Sequence, residues 1–499
     1  MRGPTPRCVR GFRDIFAGDI LLKQRILDTV REVYERYGFV PLETPAVEFV
    51  DVLGKFLPES ATPEGGIFAF RNPDISRNAA PDDPDHWLAL RYDLTAPLAR
   101  IVAQYKELPT PYRRYQIGTV WRYEKPGPGR FREFTQFDFD SVGVAGMAAD
   151  AEACCVICDA MEALGFDASE YIVNVNDRKI MQGVLEVCGL EDVDISVESS
   201  RAATVLRAID KLDRLGLDGV VELLGKGRKD ETGDFTAGAE LSDDQIATIR
   251  EYLSAKLESR THVCDRLLEL VKSSEIGREG VEELREIDRY LTELGYDEDR
   301  VVFDPTVVRG LGYYTGPVFE SVLTREIKDE KGRPRQFGSV YGGGRYDTLV
   351  ERFTGQRVPA TGASVGVDRL LEAVRLLEKD APAATADVLV TAFEADRMAE
   401  YLRLTQRLRE GGIRAETYLG KGALGRQLKY ANRLGYRLAV IIGGDEFARG
   451  EAQIKDLHLG KKLAETVSSR DEWRKGQPAQ FAVPLDELPR RIRTMLDEP

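Results

Sequence analysis

Histidine is scarce in this chain of 499 residues: there are three, His86, His262 and His458. They are far apart and form no HxxH pattern, which argues against a metallohydrolase or a Ser-His-Asp enzyme. The six cysteines are too few for a disulfide framework in this length. Cys154, Cys155 and Cys158 share a stretch of helical periodicity with no second Cys or His pair nearby, so a four-ligand zinc site cannot be completed. They are expected to be buried thiols, and no zinc is expected. No run approaches the ~20 apolar residues of a membrane helix; LAVII (438–442) reads as a buried strand. The opening MRGPTPRCVRGFRD has no apolar signal core, so a cytoplasmic address is expected. There is no P-loop and no tandem repeat. The net charge of −14 argues against non-specific nucleic-acid binding, though not against local basic patches. The chemistry is left to carboxylates, arginines and tyrosines.

A hydrophobic content of 42% and charged content of 31% fit a soluble globular protein of roughly three domains. One basic patch is WRYEKPGPGRFREFTQFDFD (121–140) with the RRYQIGTV before it. The tip Pro126-Gly127-Pro128-Gly129 suits a turn and not a helix, and the flanking alternation predicts a long antiparallel hairpin. Residues 112–134 hold Arg113, Arg114, Arg122, Lys125, Arg130 and Arg132 against Glu124 and Glu133, a local +4. The second patch, residues 411–439, holds Arg414, Lys421, Arg426, Lys429, Arg433 and Arg437 against Glu416, a local +5.

Residues 19–38 read as an amphipathic helix closed by Gly38, followed by a proline-studded strand, FVPLETPAVEFV. Charged helical stretches dominate from about 178 to 300, with a glycine-rich exposed link, KGRKDETGDFTAGAE. Strand patterns return at 301, EKDAPAATA (378–386) reads as a linker, and strands then alternate with helices in a small α/β domain.

Several residues exceed what strand interiors need. RYDLT places Asp93 and Thr95 on one side of a strand end. Gln136, Asp138 and Asp140, at a spacing of two, share a strand face with Arg122 nearby. VVRGLGYYTG brings Arg309, Tyr313 and Tyr314 among glycines, GGGRYD lets a backbone approach something closely, and GVDRLLE opens a helix with Arg369. Singly, each has a structural account, such as a helix cap or a solvated face. Together they could hold a zwitterionic amino acid and a triphosphate, carboxylates taking the ammonium and arginines the carboxylate and phosphates.

The hairpin resembles motif 2 of the class II aminoacyl-tRNA synthetases, YGFVPLETPAVE motif 1 and VGVDRLLEA motif 3. VVRGLGYYTGPVFE and YGGGRYDTLV resemble the two signature peptides of the histidyl-tRNA synthetases. The resemblance runs from about residue 10 to the C-terminus. It implies an α+β fold: an antiparallel-sheet catalytic domain in two parts (1–177 and 301–378), a helical insertion (178–300) and an α/β anticodon-binding domain (387–499). It also implies ATP-dependent ligation of L-histidine to tRNA(His) through a histidyl-adenylate, with Mg²⁺, in a homodimer. By the same resemblance Arg122 and Arg309 are catalytic, and Arg122, Arg130 and Arg369 bind ATP. Asp93, Leu94, Thr95, Arg122, Gln136, Asp140, Arg309, Tyr313 and Tyr314 bind histidine. Arg132, Arg426, Lys429 and Arg433 contact tRNA.

Three other readings compete. A synthetase-like regulatory subunit of a phosphoribosyltransferase typically lacks the C-terminal domain and has degraded signature peptides, and both are present here. The signature pair argues against enzymes for threonine, proline or glycine. A pure RNA-binding scaffold leaves the arginine set without a purpose.

Overall fold

The structure, a computed structural model, describes residues 3–53, 66–76, 84–127, 131–190, 200–229, 235–257, 259–308, 313–329, 331–378, 385–459 and 479–497. Arg130 and Arg309 lie outside these residues. The chain divides into two compact units, Met1–Asp14 with Lys23–Leu377 and Ile15–Leu22 with Glu378–Pro499.

The first unit is built on an eight-stranded sheet. Its spatial order is Val40–Pro41, Tyr112–Trp121, Glu133–Val142, Ala360–Gly366, Ser339–Arg345, Pro317–Leu323, Tyr171–Asp177 and Val301–Phe303. The two outermost pairings are parallel; the inner ones are antiparallel. The expected hairpin is present, with Tyr112 opposite Val142 and Trp121 opposite Glu133. Its alternation has a clear cause. Phe137 and Phe139 point to one face, where Tyr34 of the helix Ala17–Arg36 packs on both rings at 4.8 and 4.9 Å. Gln136, Asp138 and Asp140 therefore point to the other. Gly38, at φ +79°, follows that helix in the left-handed region that suits glycine.

The proline-studded segment is not one strand. Val40–Pro41 pairs at the edge of the large sheet, whereas Val47–Phe49 joins a separate three-stranded sheet with Trp87–Leu90 and Ala69–Arg71. Pro41 and Pro45 lack the N–H that continuous pairing needs. GGGR of GGGRYD is also no loop: Gly342, Gly343 and Gly344 lie in a central strand. A Cβ on Gly343 would stand 2.1 Å from the Gly362 carbonyl oxygen, so only glycine lets these strands close. The glycine-rich link pairs in part, Gly227–Lys229 against Phe235–Ala237. The other elements among the described residues between Arg178 and Arg300 are helices, the longest being Glu275–Glu293.

The second unit has a five-stranded sheet in the order Ala415–Thr417, Val388–Val390, Leu438–Ile441, Glu451–Asp456, Gln480–Pro484. The first two pairings are parallel and the last two antiparallel. Val388 and Val390 pack with Tyr401, Leu404 and Leu408. Leu389 and Ala439 pack with Ala431 and Tyr436 on the other face. Burial on both faces explains the unbroken apolar runs of these strands.

Candidate active site

The polar face of the hairpin is where the first unit's chemistry converges. Register sets Arg114 opposite Asp140, Gln116 opposite Asp138, and Gly118 opposite Gln136. Across the other edge of the same strand, Gly362, Ser364 and Gly366 oppose Asp140, Asp138 and Gln136. Arg114, fully buried, forms an ion pair with Asp140 Oδ2 at 2.7 Å and donates to the Leu94 carbonyl at 3.2 Å. The Tyr346 hydroxyl donates to Asp140 Oδ1. Gln136 Nε2 donates to Ser364 Oγ at 2.9 Å. Three acceptors on this face, Gln116 Oε1, Gln136 Oε1 and Asp138 Oδ1, are buried without a hydrogen-bond partner among the described residues. Native structures leave few such groups, and a cluster of them marks a place where a donor-bearing ligand belongs.

Burial governs the titration here. It raises the Asp138 carboxyl to about 7, against the opposing pull of Arg114, while neighbouring Asp140 pushes it up further. Asp140 is raised by burial too, with Arg114 and the Tyr346 hydroxyl holding it back. Asp93 is likewise raised by burial, and the Ala96 N–H, which its Oδ1 accepts at 2.9 Å, opposes the shift. Carboxyls so placed are poised to ionise when a cation arrives.

Asp93 is thus a capping residue in the turn after the strand Trp87–Leu90, and Thr95 is the first residue of the helix Thr95–Gln104. They are not on one strand end, as alternation alone suggested, yet both are buried. Arg122 follows the first hairpin arm. Its Nε donates to the Tyr92 carbonyl at 3.1 Å, and its guanidinium lies 5.1 Å from the Phe134 ring centre. Tyr313 and Tyr314 are buried with ring centres 4.7 Å apart, and Tyr313 lies 6.0 Å from Tyr346. A Cβ on Gly344 would meet the Tyr314 ring at 2.8 Å, a second reason for glycine in that strand. Arg369, in the helix Val367–Leu377, donates to the Ser339 carbonyl at 2.8 Å.

The hairpin's positive charge does not all face outward. Arg113 pairs with Glu152, and Arg114 is consumed by Asp140. Lys125 is exposed and Arg132 half-buried, and the Arg132 guanidinium sits over the Tyr123 ring at 4.3 Å. Arg345 of GGGRYD pairs with Asp150 and donates to the Val144 carbonyl at 3.0 Å, so it braces the sheet. Arg426, Lys429 and Arg433 lie in the second unit, exposed on the helix Leu424–Leu434 opposite buried Gln427 and Ala431. Cys154, Cys155 and Cys158 are buried free thiols in the helix Ala148–Ala163; burial pushes Cys155 and Cys158 up to about 12.

Sequence reasoning counted Arg114 only in the hairpin's charge, placed Asp138 on the polar face without assigning it a ligand group, and singled out neither Tyr346 nor Ser364. The signal was in the hairpin register: once the hairpin is centred on Gly127, Arg114 faces Asp140 and Gln116 faces Asp138.

A largely antiparallel sheet carrying this hairpin, with an arginine-bearing helix after a neighbouring strand, is the class II aminoacyl-tRNA synthetase fold. A family model described as histidyl-tRNA synthetase matches residues 11–370, and one described as an anticodon binding domain matches 387–494. The chain belongs to the histidyl-tRNA synthetase family. It is 53% identical to the histidine–tRNA ligase of Cereibacter sphaeroides, covering 99% of this chain and 98% of that one. It is 52% identical to that of Dinoroseobacter shibae, covering 99% and 97%. Among solved structures it is similar to a histidyl-tRNA synthetase from Nostoc sp. PCC 7120, with a TM-score of 0.71, 28% identity, and coverage of 99% of this chain and 100% of that one. A Bacillus halodurans structure described as an ATP phosphoribosyltransferase regulatory subunit/histidyl-tRNA synthetase shares the fold, with a TM-score of 0.63, 23% identity, and coverage of 86% and 97%.

Proposed function

We propose that this chain joins histidine to its tRNA in two steps. The histidine carboxylate attacks the α-phosphate of ATP, giving histidyl-adenylate and pyrophosphate. The terminal adenosine of tRNA(His) then takes the histidyl group and releases AMP. The nucleophile is already an anion, so the first step needs charge placement and no general base. The carrying observation is the cluster of unsatisfied buried acceptors, Gln116 Oε1, Gln136 Oε1 and Asp138 Oδ1, beside Asp140. Family membership supports the same reading.

In this scheme Asp93, Thr95 and Gln136 receive the ammonium, with Leu94 and Tyr313 lining the pocket. Asp140 and Tyr314 take the imidazole nitrogens. Arg122 and Arg309 flank the carboxylate and α-phosphate, and Arg369 with Arg130 runs along the outer phosphates. Mg²⁺ would come with ATP, bound through phosphate oxygens and water. The chain's own part in this reading is the arginine set. Arg132, Arg426, Lys429 and Arg433 are assigned to tRNA. Residues 178–300 are assigned as an insertion between the catalytic parts 1–177 and 301–378, and 387–499 as the anticodon-binding domain.

A homodimer is supported by an apolar sheet face. Val47, Phe49 and Phe70 are 36%, 38% and 41% exposed, and register puts them on one side of the three-stranded sheet. A cytoplasmic location accords with the described residues, none of whose helices is long and apolar enough to cross a membrane. The test is ATP–pyrophosphate exchange with each common amino acid and no tRNA. Exchange with histidine alone is expected. Absence of exchange, with histidine still bound in calorimetry, would overturn the enzyme in favour of a regulatory subunit.

A further inference from the structure

The N-terminal segment 9–13 has no part in the scheme above, yet it is laid across it. A turn closes from the Phe12 N–H to the Val9 carbonyl at 3.0 Å. The Gly11 carbonyl accepts the Arg132 N–H at 2.8 Å. Gly11 sits at φ +88°, and a Cβ there would meet the Arg132 side chain at 2.8 Å. Phe12 packs edge-on to Phe68, ring centres 5.8 Å apart. Arg13 then makes two contacts with different elements. Its guanidinium lies 3.7 Å from the centre of the Phe131 ring, at the start of the second hairpin arm. Its Nη2 is ion-paired with Asp368 Oδ1.

Asp368 is the link. It sits in the first turn of the helix Val367–Leu377, its side chain only 8% exposed, and its other oxygen accepts the Thr135 N–H at 2.7 Å. Its chain neighbour is Arg369. Arg13 and the hairpin arm therefore grip one carboxylate from two sides, and that carboxylate fixes the helix turn from which Arg369 projects. A buried carboxylate losing its cation must reorient, take a proton or recruit water, and each disturbs that turn.

We infer that Arg13 is a positioning residue for the nucleotide half of the site, acting through Asp368 and Phe131 on Arg369 and the hairpin arm. The inference rests on the synthetase reading for what Arg369 contacts. Its expected signature is selective. Arg13→Ala should raise the KM for ATP at least about tenfold, the effect of losing one ordinary charge-assisted hydrogen bond, while the histidine KM stays within twofold. Arg13→Lys keeps the charge without the planar stack and should fall between. Asp368→Asn should match Arg13→Ala, and the double variant should be no worse than either single one, because both remove one coupling.

The test is ATP–pyrophosphate exchange on the full chain with ATP and histidine varied separately, a thermal melt of each variant, and calorimetric binding of a non-hydrolysable ATP analogue. Equal rises in both KM values with a lowered melting temperature would overturn the inference in favour of a merely structural contact, and unchanged constants would overturn it outright. The calorimetry needs no turnover. A wild type without exchange would sink the synthetase reading, whereas an Arg13→Ala variant that binds the analogue as tightly as wild type would sink this one.

Discussion

Replacing Tyr346 by phenylalanine removes a single oxygen from the centre of the site. That hydroxyl donates to Asp140 Oδ1, and Tyr346 is only 3% exposed. Its backbone is held independently, the N–H donating to the Ala360 carbonyl at 2.7 Å, so the ring should stay in place. Asp140 would be left with Arg114 alone, 2.7 Å from its other oxygen. A hydrogen bond to a charged group is worth about 1.5–3 kcal/mol. If Asp140 orients the imidazole of histidine, kcat/KM for histidine should fall by roughly 10- to 150-fold, while the KM for ATP holds. The sign of the pH effect also follows. The Tyr346 hydroxyl lowers the Asp140 pKa against the raising effect of burial, so phenylalanine raises it further and favours the neutral acid. The deficit should therefore shrink as pH rises and Asp140 ionises. Histidine-dependent pyrophosphate exchange across pH measures both effects. A variant within twofold of wild type at every pH would refute the role given to the Tyr346–Asp140 contact.

The remaining predictions concern other parts of the same arrangement. Gly362→Ala would put a Cβ 2.3 Å from both Asp140 Oδ1 and the Phe139 carbonyl oxygen; the second is sheet backbone and cannot swing away, so histidine activation should be lost and stability should drop by about 1–3 kcal/mol, read by exchange and chemical denaturation. For Asp138, raised to about 7 in the fold from roughly 3.9 when unfolded, the unfolded chain gives up its proton first, so the folded state loses stability as pH climbs between those values. Asp138→Asn removes that loss, and the difference in melting temperature between variant and wild type should move in the variant's favour from pH 4 to 7 and then level off; a flat difference would contradict the raised pKa. Replacing Arg426, Lys429 and Arg433 together by alanine should raise the tRNA KM and flatten its salt dependence without altering pyrophosphate exchange, and unchanged aminoacylation kinetics would place the tRNA contact elsewhere.

Much of the scaffold was legible because it rests on local periodicity. The phenylalanines of the second hairpin arm alternate with Gln136, Asp138 and Asp140 in the sequence itself, and the strand period of two converts that into an apolar face and a polar one. The second unit's strands and helices were equally plain, since a sheet buried on both faces demands unbroken apolar runs. Individual arginines were another matter. Residue type does not separate Arg114, buried against Asp140, from Arg132, half-buried over Tyr123; the difference lies in the pairing register and in which residues arrive from elsewhere. The same holds for GGGRYD, where glycines that resemble a loop turn out to line a central strand because Gly362 and the Tyr314 ring press against it.

The sequence alone therefore determined which segments pair or coil, which face of each is apolar, and which family the motifs resemble, because these depend on residue types at short spacings. Only the tertiary structure decided which charges are used up as braces and which are left for a ligand. Asp140 meets Tyr346 across 206 positions of chain, and Arg13 meets Asp368 across 355. Encounters at that separation are set by how the strands stack side by side, and no local pattern carries that information.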